Sequence, residues 1–177
     1  MKSFIEYITE QKFNSLPDVD VKKYFDCLHS LQKISEDGNF KIYDDLVNMK
    51  VDKSYFKKYD DCLAYIKSIE KKIDQDVYIK NQIKSVEKKY DNMKKKTLES
   101  QKEIENIYNA VSVGEQEATA IKKLVNMTKK FNKFFSPTTE DELRNELKKE
   151  NTLVFSGKFD FNVQFDANGK VKKKYFS

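Results

Sequence analysis

Residues 54–111 read SYFKKYDDCLAYIKSIEKKIDQDVYIKNQIKSVEKKYDNMKKKTLESQKEIENIYNAV, and the stretch contains neither glycine nor proline. Its apolar positions fall into heptads. Tyr59, Cys62, Ile66, Ile69 and Ile73 alternate spacings of three and four. Ile83, Val86, Tyr90, Met93, Thr97, Ser100, Ile104, Ile107 and Val111 repeat the alternation. A seam of this kind predicts helices that pair along a narrow stripe, as in a coiled coil, rather than a rounded core. The two registers differ by three residues, which places a stammer or bend at Asp76 to Ile79. A continuous helix over 59–110 would extend about 78 Å, so the expected molecule is elongated, folded back on itself, or paired with a second copy. Thr97 and Ser100 weaken the seam and either set its register or mark a kink.

On the N-terminal side, Asp18 or Asp20 is placed to cap a helix whose apolar positions are Val21, Tyr24, Phe25, Leu28, Leu31 and Ile34. Asp37-Gly38-Asn39 is expected to end it, because Gly38 suits the left-handed conformation beyond a helix C-terminus. Residues 40–49 read as one or two weak helical turns. Phe4, Ile5, Ile8 and Phe13 form a further short amphipathic helix before Pro17.

On the C-terminal side, Ser112-Val113-Gly114-Glu115 breaks the long pattern. A helix carrying Ala118, Ile121, Leu124, Val125, Phe131 and Phe134 follows. A turn near Gly114 would let this helix return over the long one as an antiparallel hairpin. Ser136-Pro137 stops it, and Thr139 with Glu142 has the spacing of a capping box for a helix reaching Lys149. The tail then changes period. Phe159, Phe161, Val163 and Phe165 alternate with polar residues, and Asp166-Ala167-Asn168-Gly169 leads into Val171, Lys173 and Tyr175. Asn-Gly between alternating runs predicts a β-hairpin, with Leu153 to Phe155 as a candidate third strand. The fold class expected is therefore mainly α, an elongated helical hairpin or coiled coil with a short C-terminal β-hairpin. Its Phe face must dock on helices or on another chain.

Composition agrees with a thin core. Of 177 residues, 38% are hydrophobic and 36% charged, against about 45–50% and about 25% in ordinary globular chains. Four glycines and one histidine leave no Gly-rich nucleotide-binding loop and no cofactor signature. Cys27 and Cys62 are too few for a disulfide framework or a thiolate zinc site, and they suggest a reducing compartment. No apolar run approaches the roughly 20 residues of a membrane span, so no membrane partner is expected. His29 lies two residues from Cys27, on a different helical face, which argues against a nucleophile pair. Asp44-Asp45, Asp60-Asp61 and Glu140-Asp141-Glu142 lack the spacing of a metal or glycosidase site. Neither catalysis, a metal nor a cofactor is expected.

All but one of the 34 basic side chains are lysine, the exception being Arg144, and the net charge is +5. Residues 1–58, 59–110, 111–150 and 151–177 carry 0, +1, +1 and +3. Two patches stand out, Lys122, Lys123, Lys129, Lys130 and Lys133 in one helix, and Lys170, Lys172, Lys173 and Lys174 in the hairpin. Lysines hold phosphates as point charges, which predicts weak, salt-sensitive, sequence-independent nucleic-acid binding. The competing explanation is that Lys-rich, Arg-poor usage reflects an A+T-rich genome, with the paired lysines on solvated helix faces. Scarcity of arginine argues against base-specific readout, since bidentate contact with guanine is chiefly an arginine contact.

Residues 1–10, Met-Lys-Ser-Phe-Ile-Glu-Tyr-Ile-Thr-Glu, resemble the capsid-targeting propeptide of internal head proteins in T-even-like tailed bacteriophages. The family pattern is Met, Lys, a hydroxyl residue, an aromatic, any residue, Glu, an aromatic, Ile or Leu, a small residue and Glu. Met1, Lys2, Ser3, Phe4, Glu6, Tyr7, Ile8, Thr9 and Glu10 match it in order and length. Thr9 is larger than the usual small residue. The resemblance implies that a prohead protease cuts after Glu10, reading Ile8-Thr9-Glu10, and leaves a chain beginning at Gln11. It also implies that Phe4 and Ile8 bind the prohead core or scaffold, an amphipathic-helix mode of recognition.

The functional expectation is a non-enzymatic virion-internal protein, located inside the phage head. It would be trimmed there, packaged with DNA, and present in host cytoplasm during assembly or after ejection. Two alternatives stand beside it, a coiled-coil structural or scaffolding protein that self-associates, and a sequence-independent nucleic-acid-binding protein. The corresponding segments are 1–10 as propeptide, 11–53 as an N-terminal helical segment, 54–150 as the long helix with its return helices, and 151–177 as the β-hairpin.

Overall fold

A computed structural model of the chain describes residues 17–71 and 77–177. It is mainly helical, with one three-stranded antiparallel sheet at the C-terminal end. In chain order the elements are α1 (Asp18–Lys41), α2 (Tyr43–Val47), a 3-10 turn (Lys53–Phe56), α3 (Lys57–Glu70), α4 (Val77–Tyr108), α5 (Glu117–Lys130), α6 (Glu140–Leu147), β1 (Thr152–Phe155), β2 (Phe161–Phe165) and β3 (Val171–Phe176). They form two compact units, one holding residues 17–43 with Val51–Leu98, the other Asp44–Lys50 with Glu99–Ser177. The boundary falls inside α4. The amphipathic stretch 3–13, the positions Phe4, Ile8, Thr9 and Glu10, and Ile73 lie outside the described residues.

In the first unit, the Pro17 carbonyl accepts from the amides of Asp20 and Val21 and so opens α1. Asp18 and Asp20 therefore occupy its first turn rather than its cap, where they still favour the helix dipole. The helix does not stop at Gly38. It runs to Lys41, at a cost of about 1 kcal/mol for an internal glycine. Beyond it Ile42 is buried, a multiple of four residues from buried Ile34. Val21, Tyr24, Cys27, Leu31 and Ile34 form the buried stripe. Asp52 caps the 3-10 turn by accepting from the amides of Ser54 and Tyr55 at 2.8 and 3.0 Å.

No single helix runs from 59 to 110. α3 ends at Glu70, and α4 begins at Val77 with 32 residues, about 48 Å long. The expected stammer at Asp76 to Ile79 straddles the start of α4, and Asp76 lies outside the described residues. Lys67 pairs with Glu87 at 2.5 Å, and Lys94 with Asp60 at 2.6 Å. As numbers rise along α3 they fall along α4, so these helices run antiparallel. The heptad positions face inward as expected. Ile66, Ile69, Ile83, Val86, Tyr90 and Thr97 are buried, while Tyr59, Cys62 and Met93 are half-buried.

The second unit contains the last turns of α4, where Ile104 and Ile107 are buried, and Val111 three residues beyond the helix is buried as well. Gly114 has φ +86, the backbone state expected of a glycine at this break. α5 buries Ala120, Ile121, Leu124, Val125, Met127 and Thr128. Ala118 is exposed, contrary to its expected core role, because Gln116 forms the N-cap and the inward face starts at Ala120. The helix also ends earlier than Ser136, with Phe131 at its C-cap. Phe131 and Phe134 are nevertheless buried in the turns beyond it. α6 starts with the predicted capping box, Thr139 and Glu142 bonding reciprocally.

The sheet has the order β1-β2-β3. Its turn is as predicted, with Gly169 at φ +67 and Asp166 accepting from the amides of Asn168 and Lys170 at 2.9 Å each. Leu153, Phe155, Phe161, Val163, Phe165 and Val171 form the inner face. A register shift between Gln164 and Phe165 leaves Lys172 without a Cα partner across the pair. This bulge reverses the alternation after Val171. Lys173 and Tyr175 consequently face solvent, whereas Lys174 and Phe176 are half-buried.

Candidate polyanion interface

Nine lysines marked by the sequence lie in the second unit, and their surroundings divide them. On α5 the apolar residues recur at three and four, leaving Lys122, Lys123, Lys129 and Lys130 outward. Lys133 follows on the exposed side of the next turn. Lys123 is engaged by Glu115 at 2.5 Å, and Lys133 by Glu103 on α4 at 2.6 Å. Burial works against ionisation of Glu115, but Lys123, the Ser112 amide and Lys174 together hold its carboxyl below the usual range.

Lys174 has an internal role. Its Nζ donates to the carbonyls of Tyr108 and Val111 at 2.6 and 2.8 Å, and lies 4.1 Å from the Tyr108 ring centroid. Tyr108 is the last residue of α4, where the helix leaves acceptors unsatisfied, and Val111 lies three residues beyond it. Desolvation lowers the affinity of Lys174 for its proton, with Glu115 acting in the opposite sense. The bulge delivers this lysine inward, so it belongs to the core rather than to a binding patch.

Lys122, Lys129, Lys130, Lys170, Lys172 and Lys173 are exposed and have no ion pair among the described residues. Lys130 lies over Phe131 at 5.2 Å, and Lys173 over the exposed Tyr175 at 4.7 Å. The α5 and hairpin ends meet directly. Gln116 bridges to Lys170, and the Glu117 amide donates to the Gly169 carbonyl at 2.8 Å. Lys158, which sequence reasoning passed over, is also exposed and lies 5.8 Å from the Phe134 ring. A lone lysine in a loop carries no periodic signal that would mark it.

The other chemical candidates are structural. Asp60 accepts from Lys94 and from the Tyr90 hydroxyl, and Glu142 caps α6. Arg144 lies between Glu117 and Glu140, at 3.7 Å from each. Cys27 is buried and His29 exposed, on different faces as expected. Among the described residues there is no cluster of three His, Cys, Asp or Glu placed to hold a metal ion, and no helix long and apolar enough to cross a membrane. No family model, curated protein or solved structure matches the chain.

Proposed function

We propose that this chain is a non-enzymatic internal head protein of a tailed bacteriophage, directed into the prohead by residues 1–10 and trimmed after Glu10. The observation carrying the reading is the ordered match of Met1 to Glu10 to the capsid-targeting pattern. Trimming deletes Lys2, Glu6 and Glu10, one base and two acids, and so moves the net charge from +5 to +6. A more positive chain is better suited to lie beside packaged DNA. Among the described residues, buried side chains begin at Val21, so a chain starting at Gln11 keeps all of them.

Mass spectrometry of the protein from purified mature particles tests the proposal. The expected product begins at Gln11. A chain retaining Met1 in particles, or absence from them, would overturn it. Glu10→Ala should leave the chain packaged but untrimmed, and Phe4→Asp with Ile8→Asp should leave it outside the head.

A second reading is favoured by the six exposed lysines that have no ion pair among the described residues, namely weak binding to nucleic-acid phosphates irrespective of sequence. The antiparallel α3 and α4, with their heptad spacing, are further read as arms of a coiled-coil-like hairpin. An assembly role would use the same seam between chains. Sedimentation tests that role, and a monomer at all concentrations would remove it.

A further inference from the structure

We propose that the solvent-facing side of the three-stranded sheet binds single-stranded nucleic acid, with an unpaired base stacked on Tyr175 and its phosphate beside Lys173. The proposal rests on the phosphate-binding reading above and adds a contact that tells one strand from two. It concerns the second unit alone.

The face is built by register. Val154 stands opposite Asn162, and Asn162 opposite Tyr175, so the three form one row across β1, β2 and β3; Thr152, Gln164 and Lys173 form the next. Side chains alternate along a strand, and Leu153, Phe155, Phe161 and Val163 take the inner side. Tyr175 and Lys173 reach the outer side because the bulge at Lys172 shifts β3 by one residue. Without it, the inner face would continue from Val171 to Lys173 and Tyr175. In the row that holds the tyrosine, Asn162 is buried and donates through Nδ2 to the Ser177 hydroxyl at 2.9 Å, whereas Val154 and Tyr175 are 41% and 37% exposed. Asn162 is thus the floor of the row, flanked by two exposed side chains.

The occupant follows from charge and ring together. Lys170, Lys172 and Lys173 are exposed at the turn end of the face. The acids of residues 151–177 are Asp160 and Asp166. Asp166 is engaged within the turn by the amides of Asn168 and Lys170, and Asp160 lies opposite Ser177 at the far end. The lysine end therefore favours a polyanion. Lys173 Nζ lies 4.7 Å from the Tyr175 ring centroid, and the two residues are about 7 Å apart along the strand. A base on the ring leaves its phosphate within reach of the lysine. Stacking on an aromatic side chain tolerates any sequence but needs a base with a free face. In a duplex the base faces are covered by their neighbours, so a duplex can use the lysines and not the ring.

Fluorescence anisotropy of the full chain tests this across a salt series. The probes are a labelled oligothymidylate of about 16 nucleotides, within the site size of single-strand binders, and a duplex of the same length. Tyr175→Ala should weaken single-strand binding about tenfold, the loss of one base stack, with the salt slope and the duplex affinity unchanged. Tyr175→Phe, which keeps the ring, should bind the single strand as wild type does. Lys173→Gln should flatten the single-strand salt slope by about 0.7. With wild type, an oligothymidylate carrying iododeoxyuridine should cross-link to Tyr175 on irradiation, a result that depends on no variant's folding. Single-strand affinity unchanged in Tyr175→Ala, an equal loss on both probes, or a cross-link confined to α5 would overturn the proposal and leave the phosphate reading standing. If Tyr175→Ala keeps its single-strand affinity but loses self-association in sedimentation, the face belongs to a second copy of the chain. Absence of salt-dependent binding of wild type to either probe would remove both.

Discussion

Gly157 lies against the backbone carbonyl of Phe134, so that a Cβ added to it would stand 1.7 Å from that oxygen. The contact accompanies the bridge between Phe135 and Gly157, in which the Lys158 amide donates to the Phe134 carbonyl at 3.2 Å. Around it Phe134, Phe135, Phe155, Phe159, Phe161 and Phe176 form a connected set of ring contacts at 5.1–6.5 Å between centroids. The loop before β2 is thereby fastened to the turns after α5.

Gly157→Ala should accordingly destabilise the second unit by about 3 kcal/mol, the upper part of the usual overpacking range, because backbone rather than a flexible side chain must move. Denaturant unfolding followed by circular dichroism measures this. An unchanged midpoint would show that the loop yields freely. Gly114→Ala meets no atom within 4 Å but keeps a positive φ, and should cost only about 1 kcal/mol.

Lys174 supplies the second prediction. Replacing it with methionine retains the aliphatic stem but withdraws the donor from the Tyr108 and Val111 carbonyls. The expected loss is about 1–2 kcal/mol, within the range for hydrogen bonds from a charged group at a partly exposed site. Hydrogen exchange should locate the effect in the last turn of α4. If only surface charge were involved, Lys172→Met would cost as much, whereas it is expected to be near neutral.

Legibility differed by the range of the interaction. The α6 capping box and the Asn168-Gly169 turn depend on residues within four positions of each other, and both were readable. Most of the described heptad positions are also buried, with Tyr59, Cys62, Met93 and Ser100 half-buried, because periodicity reports which side of a helix meets apolar neighbours. It does not report the neighbour. That α3 runs back along α4 depends on Lys67 with Glu87 and Asp60 with Lys94, pairs separated by 20 or more residues. Gly38 was misread because a helix tolerates glycine where burial beyond it compensates. The bulge at Lys172 had no local signature, so Lys174 looked like one more surface cation. Among the lysines, composition located the patches but could not separate engaged from free side chains.

Tyr90 connects α4 to α3 through a 2.8 Å hydrogen bond from its hydroxyl to Asp60, which also receives Lys94. Tyr90→Phe should cost about 1–2 kcal/mol, since Lys94 keeps the carboxylate partnered. Alkali should act on the same unit. Burial, aided by Asp60, raises the Tyr90 pKa, and burial with Glu70 pushes Tyr24 up to about 12. Both are neutral in the fold when an unfolded chain's tyrosines ionise near about 10. Their contribution is complete below that value and is lost as pH rises through the folded values. Helical signal should fall with the late phase of tyrosinate absorbance, and Tyr90→Phe should remove part of the pH dependence. Titration of every tyrosine in one unshifted step would contradict this.

Acid should act on α6. The Thr139 amide, the Thr139 hydroxyl and the Thr138 hydroxyl hold the Glu142 carboxyl below its ordinary value. Stability from this group is present above the ordinary carboxylate range and is lost as pH falls through the lowered one. Glu142→Gln should flatten the acid limb of the stability curve without changing the alkaline limb. Thr139→Ala should cost about 1 kcal/mol, as loss of an N-cap does. If the acid limb is the same in wild type and Glu142→Gln, the capping box has no electrostatic part.

The lysine partition predicts an asymmetry between variants of equal charge. Lys129→Gln with Lys173→Gln, and Lys123→Gln with Lys133→Gln, each remove two positive charges. The first pair has no ion pair among the described residues, whereas the second is engaged by Glu115 and Glu103. On double-stranded DNA each lost phosphate contact should flatten the slope of log affinity against log salt by about 0.9. The first variant should therefore bind more weakly with a reduced slope. The second should keep the wild-type slope, because its lysines already have carboxylate partners, while losing some stability from Glu103 and Glu115. Fluorescence anisotropy across a salt series distinguishes them. Equal slopes for the two variants would mean that total charge, rather than the exposed faces of α5 and the hairpin, governs association with polyanions.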